Sequence, residues 1–250
     1  MAEGLGYATH GDGPARVLVL HEWMGDHRTY DPVRPYLDGA TWGFADLRGY
    51  GASRHLEGRY DLDEAVADVA ALADALGWER FHLVGHSMST VVAQHLALRS
   101  PDRIEALALI TPVSPRGMGA PDDVVAWLEQ VGGDEAAREG ALGARFAERY
   151  AAAWGRFKLR RWAESARPDA VRGYVRLFAG THGVGAMPDV PVTVILGEHD
   201  HEPFREATVR EGLAGWRRLE VTVCRGAGHY PMQEAPVALA SALCRFVEPG

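Results

Sequence analysis

Short runs rich in valine and leucine alternate along this chain with segments whose apolar residues recur every three or four positions. The runs at residues 16–20, 41–45, 81–84, 104–111, 192–196 and 219–224 read as strands. Nearly every position in them is apolar, which suits strands covered on both faces by helices and therefore a mostly parallel sheet.

The helical segments carry their own start and stop signals. Asp31-Pro32 offers an N-cap and a first-turn proline for a short helix. After Asp61, the residues Leu62, Ala65, Val66, Val69, Leu72, Ala73 and Leu76 recur at helical spacing until Gly77. The segment following Ser87 is apolar on most sides and stops before Pro101, which predicts a buried helix. Between Thr111 and Val190 the strands cease. Helices are expected near 121–131, 134–151, 154–165 and 168–178, so residues 113–189 read as a helical cap inserted into a core of residues 1–112 and 190–250.

Composition narrows the class. At 250 residues the chain can bury one sizeable core, and 47% hydrophobic with 24% charged residues is ordinary for a globular protein. The net charge of −8 and the scattered basic residues disfavour a nucleic-acid partner, which needs a basic stripe. No stretch is long and apolar enough to span a bilayer, and residues 1–12 lack the pattern of a signal peptide. With only Cys224 and Cys244 present, buried thiols and a cytoplasmic home are expected. Arginine supplies nearly all the positive charge, and Lys158 is the only lysine, which looks like codon bias.

The candidate chemistry starts at Ser87. The sequence Phe81-His82-Leu83-Val84-Gly85-His86-Ser87-Met88-Ser89 runs from a strand directly into a helix. A serine on such a sharp turn points its hydroxyl outward, and Gly85 and Ser89 supply the small residues two positions before and after. This is the nucleophile-elbow pattern with serine in place of the last glycine. Further motifs occur in a fixed order around it. His21-Glu22-Trp23 follows the first strand, and Asp46-Leu47-Arg48-Gly49-Tyr50-Gly51-Ala52-Ser53 follows the second.

On these ordered motifs the chain resembles the α/β-hydrolase superfamily, in the branch of small esterases, lactonases and cofactor-free perhydrolases. The resemblance covers nearly the whole chain outside the insertion. It implies the α/β-hydrolase fold, with a mostly parallel sheet flanked by helices, and a chain order of serine, acid and then histidine. Asp200 then matches the family's acid and His229 its base, with Glu198 or Glu202 able to take the acid's place. Both lie in glycine-flanked loops after strands, where open α/β sheets bind ligands. One oxyanion donor is expected at the Met88 N–H, and the resemblance places the other at Trp23. Epoxide hydrolases and dehalogenases of this fold use aspartate where this chain has Ser87.

The expected reaction is cleavage of a carboxylic ester or lactone of a small to medium apolar substrate through an acyl-enzyme, without a cofactor. A carbon–carbon hydrolase, a perhydrolase or cofactor-free haloperoxidase, and a thioesterase share the same machinery. A ligand-binding or regulatory protein with little turnover is the reading from another class.

Around this centre, Glu22 stands where relatives usually carry glycine; its side chain is expected to turn to solvent or pair with an arginine, or else to restrict or polarise the pocket entrance, so that Glu22 and His86 are also substrate-binding candidates. His86 is expected to support the elbow. Trp127, Trp154, Trp162, Phe178 and Met118 are candidate pocket residues, although aromatics at helical spacing serve core packing or a homodimer interface equally well. His199, His201 and their acidic neighbours resemble metal ligands. Alternation along an extended chain would point them apart, so no metal is expected.

Overall fold

The computed structural model describes residues 4–146 and 150–248. Seven strands build one sheet in the order β1-β3-β2-β4-β5-β6-β7. They are β1 (Tyr7–His10), β2 (Ala15–Leu20), β3 (Ala40–Ala45), β4 (Phe81–His86), β5 (Ile104–Ile110), β6 (Val192–Gly197) and β7 (Leu219–Cys224). β1 pairs antiparallel with β3, and the remaining pairings are parallel.

The six runs expected as strands are β2 to β7. β1 is an addition: it is four residues long with alternate positions exposed, too short and too polar for its pattern to register. β7 departs from two-sided burial. It lies at the end of the sheet, so most of its side chains are only partly covered and Val223 is exposed.

Nine helices accompany the sheet among the described residues: α1 (Leu62–Ala75), α2 (Ser89–Arg99), α3 (Asp122–Gln130), α4 (Glu135–Phe146), α5 (Ala152–Ser165), α6 (Pro168–Ala179), α7 (Glu206–Gly212), α8 (Pro231–Glu234) and α9 (Pro236–Val247). Asp61 caps α1 by accepting the Glu64 N–H at 2.8 Å. α2 is buried over most of its surface and packs on β4 and β5. Residues 122–179 carry α3 to α6, all between β5 and β6.

Two local expectations change. Asp31-Pro32 does not start a helix: Asp26 caps a short 3₁₀ turn over His27–Tyr30, and Asp31 closes it. The helix expected over 134–151 ends at Phe146, residues 147–149 lie outside the described residues, and 150–151 are not helical.

Because the core strands are parallel, the loops that follow β2, β4, β6 and β7 emerge at one edge of the sheet. Two glycines let them crowd there. A side-chain carbon on Gly85 would stand 2.9 Å from the Ser89 carbonyl oxygen and the Thr90 Cα, and one on Gly197 only 2.0 Å from the carbonyl oxygen of Gly228. The sheet thereby delivers residues 21–23, 87–88, 198–201 and 228–230 to the same place.

Candidate active site

Ser87 occupies the turn between β4 and α2 with φ +53°, the left-handed region that non-glycine residues rarely adopt. Such a conformation costs on the order of 1–3 kcal/mol and persists only where surrounding structure enforces it. Here the Ser87 N–H donates to the Ile110 carbonyl at 2.9 Å, and the Thr90 hydroxyl donates to the Ser87 carbonyl at 2.6 Å. Ser89 accounts for its own presence in the motif. Its Oγ accepts the His86 N–H at 2.9 Å and lies 3.2 Å from the Leu20 carbonyl, linking the elbow to β2.

The Ser87 Oγ lies 3.0 Å from His229 Nε2. On the other side of the ring, His229 Nδ1 is 2.9 Å from Asp200 Oδ2 and 3.2 Å from Oδ1. Because a carboxylate only accepts, Nδ1 carries the proton and Nε2 presents its lone pair to the serine. Burial alone would raise the Asp200 carboxyl. The neighbouring His229 ring and hydrogen bonds from His201 and His229 outweigh it and hold the group well below the usual carboxylate range. Asp200 is 2% exposed, His229 1% and Ser87 8%, so all three side chains are buried.

His201 joins this group, contrary to the expectation that neighbouring side chains diverge. The loop turns at Asp200, so that both the N–H and the Nδ1 of His201 bond to Asp200 Oδ1 at 2.8 Å. Asp200, His201 and His229 thus gather potential ligand atoms within 4.8 Å of one another, while the exposed His199 faces Glu198. Asp200 accepts hydrogen bonds from both His201 and His229.

His21 fixes the loop after β2. Its Nε2 accepts the Leu47 N–H at 3.0 Å, and its Nδ1 therefore donates to the Glu22 carbonyl at 2.7 Å. Trp23 is buried, with its indole N–H donating to the Val171 carbonyl in α6 at 2.9 Å and its ring 5.2 Å from that of Phe178. Met88, also buried, follows Ser87 at the N-terminal end of α2.

Glu22 overturns its expectation. It is 1% exposed and partnered by the chain's one lysine: Oε1 lies 3.5 Å from Lys158 Nζ in α5 and accepts from the Thr29 hydroxyl at 3.2 Å. Oε2 lies 3.4 Å from His86 Nδ1, a contact that makes no hydrogen bond. Burial would raise this carboxyl, but the Lys158 charge and His86 outweigh it and keep Glu22 ionised, well below the usual range. Arginine takes the next acid along instead, where Arg161 bonds Asp26 at 2.8 and 3.0 Å.

The aromatic candidates divide. Trp162 is buried 5.8 Å from Lys158 Nζ, and Phe178 packs on Trp23, so both reach the loop after β2. Trp127 is exposed and lies over Gly140, Trp154 stacks on Tyr150 and lines an outer recess with Leu142, and Met118 is exposed. Phe204, not anticipated, sets its ring 4.5 Å from that of His229 and lines an apolar recess of about 360 Å³ with Val113, Met118, Val209 and Leu213. A larger hollow of about 930 Å³ between α1, α2 and α6 is lined by Arg59, Arg99, Arg172 and Arg176, away from Ser87. Cys224 is buried, which pushes its thiol up to about 11, whereas Cys244 is partly exposed.

Known proteins agree with this architecture. The model of the alpha/beta hydrolase family matches residues 10–242. The dihydrolipoyllysine-residue acetyltransferase component of the acetoin cleaving system of Cupriavidus necator is 36% identical over 108 residues, which cover 43% of this chain and 29% of that relative's length. Among solved structures, a hydrolase from Oleispira antarctica superposes with a TM-score of 0.83 at 15% identity, covering 98% of this chain and 94% of its own. A thermophilic esterase from Thermogutta terrifontis gives 0.81 at 22% identity, covering 97% and 92%. At such identities the structural likeness carries the fold and not the substrate. The seven-stranded sheet flanked by helices and the match across most of the sequence together place the chain in the alpha/beta hydrolase family.

Proposed function

We propose that this protein is a serine hydrolase that cleaves a carboxylic ester or lactone of a small to medium apolar substrate through an acyl-enzyme. The observation that carries the reading is the line from Ser87 Oγ to His229 Nε2 at 3.0 Å and from His229 Nδ1 to Asp200 at 2.9 Å, on a serine held at positive φ. A serine hydroxyl is a poor nucleophile until a base takes its proton and a third group orients that base.

In the proposed cycle, His229 takes the Ser87 proton as Oγ attacks the carbonyl carbon. The Met88 and Trp23 N–H groups stabilise the oxyanion, and His229 returns the proton to the leaving alkoxide. Water, deprotonated by the same imidazole, then attacks the acyl-enzyme and releases the acid. Asp200 keeps the imidazole in the productive tautomer and stabilises its charged form, a role its depressed pKa suits. A bond to be cut at this serine needs only general base catalysis and oxyanion stabilisation, so the scheme calls on no cofactor.

The recess beside Phe204 supports an apolar substituent. Its volume of about 360 Å³ falls at the small end of ligand sites, and its lining includes the ring that touches His229. The test is turnover of a panel of short- and medium-chain esters and γ-lactones by wild-type protein and by Ser87→Ala. The reading expects repeated turnover by the wild type and loss of about a thousandfold or more in the variant. A single stoichiometric acylation without further release would favour a ligand-binding protein.

A further inference from the structure

Glu22, His86 and Lys158 come from three distant parts of the chain, and none has a part in the cycle above. A carboxylate and an ammonium that are 1% and 2% exposed have both lost their hydration, and a well-packed apolar pair in their place would serve stability as well or better. Stability alone therefore gives a weak reason for this pair.

What the pair reaches gives a stronger one. Two routes lead from Lys158 to the loop that carries His229. Along the first, Lys158 Nζ lies 3.5 Å from Glu22 Oε1, and Glu22 Oε2 lies 3.4 Å from His86 Nδ1. His86 Nε2 is 2.8 Å from the His229 carbonyl oxygen, which can only accept, so Nε2–H donates, and Nδ1 stands beside the carboxylate with no hydrogen bond between them. Along the second, Lys158 Nζ sits 3.7 Å above the ring of Tyr230, and that ring meets the His229 imidazole edge-on at 5.3 Å. The far side of the loop is tied to the insertion as well. Glu234 accepts the N–H groups of Gly228 and Tyr230 at 2.6 and 2.8 Å, and the Tyr150 hydroxyl donates to Glu234.

α5 is also keyed to the loop after β2 along a single face. Lys158 meets Glu22, Arg161 meets Asp26, and the Ser165 hydroxyl donates to the Met24 carbonyl at 2.6 Å. These positions follow helical spacing, so one face of the helix makes all three contacts.

We infer that Lys158 is a positioning residue: the seating of α5 on Glu22 and Tyr230 sets the place of His229 relative to Ser87. The inserted helices then do more than cover the site, because the base is correctly held only while they are seated. This inference rests on the reading of Ser87 as nucleophile and His229 as base.

The rival explanation is that Lys158 merely neutralises Glu22, and two quantities separate the two: the rate at which a fluorophosphonate labels Ser87, and the midpoint of thermal unfolding. Lys158→Met alone strands a buried carboxylate and lowers stability in either case. The double variant Glu22→Gln/Lys158→Met removes both charges at similar volume, so its midpoint should return close to that of the wild type. If Lys158 positions the base, rate and stability part company in the double variant, and labelling stays at least about tenfold slower than wild type because the base is displaced. Labelling at the wild-type rate by the double variant would overturn the inference. Tyr230→Leu leaves the ion pair intact and tests the second route by itself should the double variant fail to fold. Slowed labelling is expected, and an unchanged rate would overturn the inference. If wild-type protein takes up no probe, the reading of Ser87 itself fails and the inference falls with it.

Discussion

At the level of single residues, the most informative group is Asp200, on which two imidazoles converge. One oxygen serves mainly His229, while the other accepts both the N–H and the ring Nδ1–H of His201. Those donors fix the carboxylate and help keep it charged. Replacing His201 by alanine removes one charge-assisted hydrogen bond, and a loss of about tenfold in kcat/KM is expected. That is far milder than the roughly 10⁴-fold expected for Asp200→Asn, which would also favour the wrong tautomer. Steady-state kinetics on any ester the protein turns over checks both. Equal losses in the two variants would mean that His201 has a larger part than orientation.

Single residues are also where the sequence is least legible. Ser87, Asp200 and His229 can be picked out because their chemistry travels with local signals: a strand, a tight turn, glycine neighbours. Glu22 and Lys158 carry no such signal. They lie 136 positions apart, and each taken alone suggests solvent or codon usage. Only tertiary packing makes them partners. The single lysine of the chain is the available clue, and composition offers a bland explanation for it.

At the level of elements, the site depends on how closely two loops can approach. Gly197 ends β6 opposite Cys224 of β7, and a methyl group there would collide with the backbone of Gly228, next to His229. Backbone cannot swing aside as a side chain can. Gly197→Ala is therefore expected to lose about 1–3 kcal/mol in urea unfolding through overpacking. It should also slow the reaction at Ser87, since the strain falls on the loop of the base. Unchanged stability would show that the two loops can part without cost. The strands β2 to β6 are legible because burial on both faces leaves a continuous apolar run. β1 is not, since pairing with β3, not its own pattern, makes it a strand. The end of α4 and the turn at Asp26 escape for a related reason: caps depend on which side chain folds back, and Asp26 and Asp31 look alike in sequence.

Across the whole molecule, the buried carboxylates set the response to acid. Glu22 and Asp200 are both held below their ordinary values in the folded state. A group depressed in this way contributes its full stabilisation above the unfolded-state value, near pH 4, and loses it as the pH falls through the folded-state value. Stability from these two groups should thus be level from about pH 5 to pH 7 and decline on further acidification. The midpoint of urea unfolding, followed from neutral pH down into the acid range, checks this. The Glu22→Gln/Lys158→Met variant should show a shallower acid limb, and an identical limb would mean that Glu22 is not charged in the fold.

The proposed chemistry turns on one hydroxyl, and its reactivity is read most plainly from the intact mass of the protein after exposure to a fluorophosphonate, beside Ser87→Ala. An activated Ser87 gives one adduct per chain on the wild type and none on the variant. Folded wild-type protein that stays unmodified, or a variant that labels equally, would contradict the assignment of Ser87 as the nucleophile.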